Sequence, residues 1–234
     1  FMRQQSSTPQ LSAYRQSFYD DVGQTLVEAI DRQKLLAEVK HQQTLWLGDH
    51  HRHSRLHALQ TELLSQIQNR GISMALGLEC IGVHDERDVN DFLTNKINLD
   101  TMRKRMRSRW AGSWLDDRDL DPWFYRSLLE FAKRHRIPVF ALEPTPRLPL
   151  PMRDSYIAQT VKKACEVHSD TLVVVIVGQT HLVGDGDVTQ RSGQPGTIIG
   201  GLPPHHLRGL APQKQPRGDF WQDDAKILWF SEMF

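Results

Sequence analysis

Residues 44–71, TLWLGDHHRHSRLHALQTELLSQIQNRG, decide the fold. A short apolar run turns through a polar, histidine-rich corner into a stretch where Leu59, Leu63, Leu64 and Ile67 recur at helical spacing, and Gly71 stops it. Three more apolar runs end in polar or chemically active residues: SMALGLEC at 73–80, IPVFALEP at 137–144 and TLVVVIVGQTH at 171–181. Such runs, short, rich in Val, Leu and Ile and without period-two alternation, suit strands buried on both faces of a parallel sheet. Helical patterns over 57–69, 124–135 and 154–167 lie between them. Strand, helix, strand in repetition implies right-handed crossovers. The expectation is an α/β fold, a mainly parallel sheet flanked by helices on both faces, in one domain over 1–234. A last strand is expected at AKILWF, 225–230.

Residues 84–122 are too long and too charged for an ordinary connection. They are expected to be helical in two pieces and to form an insertion covering the C-terminal ends of the strands.

The chain has 234 residues, enough for one α/β unit with a substantial core. Lys and Arg number 29 against 28 Asp and Glu, a net charge of +1, so no global field favours nucleic acid and none is expected as a partner. No apolar run approaches the roughly 18 residues of a membrane span, and the start FMRQQSSTPQ is not a secretion signal. Because the sequence begins with Phe1, removal of an N-terminal signal or lipid anchor is left open, and with it membrane association and compartment. Cys80 and Cys165 are too few for a disulfide framework and read as core thiols. GDGD at 184–187 lacks the spacing of a calcium loop and reads as a turn.

In an open parallel sheet, ligands sit beyond the carboxyl ends of the strands. Each expected strand here ends on a residue that binds metal or moves a proton: Asp49, His50 and His51, then Glu79, then Glu143, then His181. Two imidazoles and one or two carboxylates brought to one edge can share a divalent ion or an activated water. Any one of them, taken alone, is as readily a helix cap or a solvated loop residue. Gly48-x-x-His51 and Gly178-x-x-His181 repeat one spacing, and a strand-exit glycine permits a sharp turn or a ligand's close approach.

Leu47-Gly48-Asp49-His50-His51, with His57 and Gln60 on the next helix, resembles the first motif of the ChaN-like haem-binding uptake proteins, which share a superfamily with the Tiki metalloproteases and erythromycin esterases. Gly77-Leu78-Glu79, Trp114 followed by Tyr125, Pro138 to Leu142, Arg153-Asp154-x-x-Ile157-Ala158 and Val177 to Leu182 resemble further motifs of that family, in its order. The likeness spans roughly 45–183. Asp49 stands where the family usually has Glu, Arg52-His53 where it often has Asp-Asn, and Glu143 where a neutral amide is expected. The extra carboxylate makes the rim more anionic, which favours a small cation over an anionic ligand.

The resemblance implies a haem- or metal-binding protein of iron or haem acquisition, periplasmic or membrane-anchored as a lipoprotein. The ligand would be held by His51, Glu79 and His181, with Asp49, His57, Trp114 and Tyr125 beside it. Haem calls for an axial His or Tyr and an apolar lining, for which Trp110, Trp114, Trp123 and Tyr125 are available. The alternative is a metal-dependent hydrolase acting on peptides or esters: a divalent ion on the same residues, Glu79 or Glu143 as general base, and Arg153 as clamp for an oxyanion. The basic run MRKRMRSRW, 102–110, reads as a solvated lid helix or as a surface for haem propionates or phospholipid heads. His205-His206, in a Pro-rich loop, reads as surface or as ligands offered to a partner subunit in a homodimer.

Overall fold

The computed structural model describes residues 9–24, 28–29, 32–109, 113–194, 196–200, 221–222 and 225–229. In chain order these form α1 (Pro9–Gln24), β1 (Glu28–Ala29), α2 (Arg32–Val39), β2 (Thr44–Asp49), α3 (Ser54–Asn69), β3 (Met74–Gly82), α4 (Glu86–Leu93), α5 (Leu99–Arg109) and α6 (Pro122–His135). There follow β4 (Val139–Glu143), α7 (Leu150–Val167), β5 (Leu172–Gly178), α8 (Val188–Ser192), β6 (Gly196–Gly200), β7 (Trp221–Gln222) and β8 (Ala225–Trp229). The strands make one sheet in the order β1-β8-β6-β2-β5-β3-β4, parallel throughout except for β7, which pairs antiparallel with β8. The α/β architecture is as the sequence implies.

Alternate residues of the central strands feed two separate cores. Leu45, Leu47, Leu76, Leu78, Val174 and Ile176 pack with Leu56, Leu63, Leu64 and Ile67 of α3, and with residues of α2, α4, α5 and α6. Trp46, Val173, Val175 and Val177 pack on the other face with Phe18 of α1 and Ile157, Ala158 and Val161 of α7. Both faces are therefore dry, which explains why the strands read as continuous apolar runs.

Sequence reasoning located β2, β3, β4, β5 and β8, but missed α1, α2 and β6 as well as the short β1, α8 and β7. Helix α1 spreads its buried positions Tyr14 and Phe18 thinly over 16 residues, α2 is only eight residues long, and β6 is five residues, GTIIG, within a Gly- and Pro-rich region. Helices α3, α6 and α7 each begin two to four residues before the expected starts of 57, 124 and 154. Asp121 explains the early start of α6: its side chain accepts the Phe124 N–H, and Pro122 follows as the first helical residue.

Within 84–122 lie the two expected helical pieces, α4 and α5, with Met102 and Met106 buried in the core. The basic run on α5 is not a free cationic surface. Arg103 and Arg107 pair with Asp116, Arg105 with Asp88, and Arg109 with Asp85 and Asp88, while Arg126 of α6 also reaches Asp116. Those three carboxylates offset much of the helix's positive charge. Trp110, His205, His206 and Phe230 fall outside the described residues.

Gly77 has a packing role. A Cβ there would stand 2.6 Å from the Phe140 ring of the neighbouring strand. Gly77→Ala is expected to cost about 1–3 kcal/mol through overpacking, read as a lower denaturation midpoint at unchanged m-value.

Candidate strand-end site

The exits of β2, β3, β4 and β5 bring Asp49, Glu79, Glu143 and, after one turn of 3₁₀ helix, His181 to one edge of the sheet. All four are buried, and so is Arg153 in the first turn of α7. The centre of the cluster is Gly178. A Cβ on it would lie 3.3 Å from Glu79 Oε2, 3.3 Å from His181 Cδ2 and 3.4 Å from His51 Cε1, so the missing side chain leaves room for all three to meet. Its N–H also donates to Glu79 Oε2 at 2.6 Å. At Gly48 the space is taken differently, by the Gln179 side chain at 2.8 Å, and Gln60 Nε2 donates to the Gly48 carbonyl. The repeated glycine spacing thus serves one close gathering of side chains and one packing contact.

Asp49 is the anchor of the first half. Its Oδ1 accepts from His57 Nε2 at 2.8 Å, and its Oδ2 from Tyr125 Oη at 2.7 Å and from His51 Nδ1 at 2.9 Å. Burial alone would raise this carboxyl, but the bonds from His51 and His57 overcome it and hold it at about 2. The Tyr125 hydroxyl is pushed far up by its burial and by the Asp49 charge, so it stays a donor. His57 uses its other nitrogen on Asp121 Oδ2 at 2.9 Å and stacks on Phe124, ring centres 3.9 Å apart. His57 and Tyr125 therefore support Asp49, with their polar atoms engaged there and at Asp121. His53, the neighbour on the loop, accepts the Leu56 N–H and caps α3.

His51 is different. Its Nδ1 hydrogen is directed at Asp49, no hydrogen bond engages its Nε2 among the described residues, and its side chain is 37% exposed. The Trp114 ring meets it edge-on at 4.5 Å. Burial lowers its proton affinity, but Asp49 and Glu79 reverse that and raise it above the ordinary value.

The second half centres on His181. Nδ1 lies 2.5 Å from Asp154 Oδ1 and 2.9 Å from the Tyr14 hydroxyl, and Nε2 lies 2.9 Å from Arg153 Nη2 and 3.6 Å from Glu79 Oε1. Burial would lower the imidazole; Glu79 and Asp154 push it up to about 9. The carboxylates favour a charged ring, whereas Arg153 donates to Nε2 only when the ring is neutral, and such opposition suits a residue that exchanges a proton. Glu79 is held well below the usual carboxylate range: its burial acts upward, but His181, Arg153 and His51 outweigh it. Glu143, 3.6 Å from Arg153 Nη1 and 3.3 Å from Arg147 Nε, is raised by burial despite them.

Several expectations need correction. His181 has both nitrogens engaged, and among the described residues no group of three or more His, Cys, Asp or Glu is arranged to hold a metal ion. Trp123 is 74% exposed, with Arg126 over its ring. Arg153 is a buried link between Glu79, Glu143 and His181. Tyr14 and Asp121 escaped sequence reasoning, and Asp154 entered only as a neighbour for Arg153. Beside Glu79 and Glu143, a cleft lined also by Cys80, Met106, Ser113 and Trp114 has room for roughly one or two waters.

Residues 35–148 match the family model described as haem-binding uptake, Tiki superfamily, ChaN. Over this stretch, just under half of the chain, the sequence is similar to that family. The ChaN-like stretch holds Asp49, His51, His57, Glu79, Trp114, Tyr125 and Glu143, and leaves Tyr14, Arg153, Asp154 and His181 outside it. Among solved structures, the type III effector HopBA1 is similar at 15% identity, with a TM-score of 0.52 over 85% of this chain and 92% of that one. ChaN of Campylobacter jejuni, described with cofacial haem binding, is similar at 10% identity and a TM-score of 0.51 over 74% and 87%. The C-terminal region of Pasteurella multocida toxin, described with a thiol-protease-like catalytic triad, gives 13% identity and 0.51 over 81% of this chain and 29% of that one. At these identities the likenesses show the fold alone. No curated protein matches the sequence.

Proposed function

We propose that this ChaN-like protein binds haem at the rim of the strand-end site, with His51 as axial ligand to the iron, and serves in haem or iron acquisition. One observation carries the reading: His51 donates through Nδ1 to a buried carboxylate, while among the described residues no hydrogen bond engages its Nε2 and the side chain is part-exposed. That arrangement fixes the tautomer and raises the basicity of the nitrogen that would meet a metal. The family match supplies the haem, and cofacial haem binding is described for ChaN of Campylobacter jejuni. Trp114 offers an apolar edge beside His51. The cleft at Glu79 and Glu143 is far too small for a macrocycle, so the residues fit haem at the His51 rim and not within the carboxylate cluster. Haem, when bound, supplies an iron centre whose properties its axial ligand tunes.

Haemin titration tests this. The parent is expected to show a saturable Soret shift that His51→Ala weakens by at least about tenfold and His181→Gln leaves nearly unchanged. Equal binding by the parent and the His51 variant would remove His51 from the role.

A second reading rests on the opposed partners of His181: an acid–base hydrolase in which Glu79 and His181 handle protons and Arg153 faces a developing negative charge. It requires peptide or ester turnover that Glu79→Gln removes. Cys80 suits a thiol mechanism poorly, because burial keeps its proton on.

A further inference from the structure

Helix α1 precedes the residues that match the family, yet it enters the site. Its Tyr14 hydroxyl donates to Asp154 Oδ2 at 2.8 Å and stands 2.9 Å from His181 Nδ1, while its ring meets the His181 ring edge-on at 5.7 Å. The docking is specific. Phe18, one turn on, is fully buried, and Ser17 Oγ accepts the Asp185 N–H. A Cβ at Gly184 would fall 2.8 Å from the α1 backbone, and one at Gly186 would fall 2.5 Å from the Tyr14 hydroxyl. The turn at 184–187 is therefore shaped to receive this helix.

We infer that Tyr14 is a positioning residue: it clamps Asp154 so that the Nδ1 hydrogen of His181 is held on one side and Nε2 alone faces Arg153 and Glu79. The carboxylate of Asp154 is wholly buried, and its two oxygens are divided between the two partners, Oδ1 to His181 and Oδ2 to Tyr14. With Tyr14 in place the carboxylate has one orientation. Without the hydroxyl, Oδ2 loses the donor that Tyr14 supplies, and the carboxylate can turn about its last bond and release Nδ1. The charged groups around His181 are Asp154 and Arg153 on α7 and Glu79 on β3, with Glu143 and His51 beyond; none of these replaces a neutral donor from the α1 side. This inference rests on the acid–base reading of the His181 half and is independent of haem at His51.

The test is Tyr14→Phe in the full chain, which keeps the ring and its packing, read by ¹⁵N imidazole spectra of histidine-labelled protein. In the parent, recorded at a pH above about 9 so that the ring is neutral, His181 is expected to show a single Nδ1–H form with slow solvent exchange. In the variant, the Nε2–H form is expected to appear and Nδ1–H exchange to quicken roughly tenfold to a hundredfold, the loss that goes with a hydrogen bond to a charged group. Ser17→Ala loosens the same helix without touching the ring and is expected to leave the His181 signals in place. An unchanged spectrum for Tyr14→Phe, or an equal change for Ser17→Ala, overturns the proposal. Haemin binding by Tyr14→Phe at parental affinity keeps this test separate from that of His51.

Discussion

Replacing Asp49 by alanine is expected to lower the thermal midpoint by roughly 10 °C, following a loss of about 3–5 kcal/mol. The side chain is almost wholly buried and is shared by three donors, His51, His57 and Tyr125. Its removal strands the Tyr125 hydroxyl and His57 Nε2 in a site closed to water, and leaves a void beside them. His57 would still be tied to Asp121, so the damage should be concentrated at the strand exit and not spread along α3. Asp49→Asn should do less harm, because the amide keeps one oxygen acceptor. Calorimetry of both variants decides the matter: a loss under about 1 kcal/mol for alanine would show that Asp49 is not the anchor described.

Arg153→Met should be about as severe at neutral pH, again about 3–5 kcal/mol, because it leaves Glu79 and Glu143 as buried charges without their shared cation. Its pH dependence carries the diagnostic sign. Burial already raises Glu143, with Arg153 pulling it back, so without the arginine its folded-state value climbs further. A carboxyl raised on folding carries no penalty below its ordinary value of 4.5, loses stability as pH rises from there towards its folded value, and carries the full penalty above that. The gap between variant and parent should therefore narrow on acidification and widen towards neutrality. Denaturant midpoints at several pH values test this, and a gap independent of pH would assign the loss to packing.

Much of this was legible in the amino-acid pattern, for a physical reason. A strand buried on both faces announces itself as an apolar run, and the residues near its end must lie at the sheet edge, so the pattern alone brings Asp49, Glu79, Glu143 and His181 together. What could not be read was how each imidazole is occupied. Metal binding by His181 looked reasonable until Asp154, Tyr14 and Arg153 took both nitrogens. Tyr14 lies 167 residues from His181, in a helix of weak amphipathic character, and no local signal marks it. His57 likewise looked like a ligand until Asp121, 64 residues on, closed its second nitrogen.

The pairing of β2 with β5 sets Asp49 opposite Gly178. A slip of one residue would bring Val177 or Gln179 to that position, put a side chain into the space where His51, Glu79 and His181 converge, and turn the Val173, Val175 and Val177 face away from α7. Misaligned sheets would then carry buried charges with no partners. The chemistry at the edge thus acts as a proofreader of the fold, admitting one alignment of the central strands and penalising its neighbours.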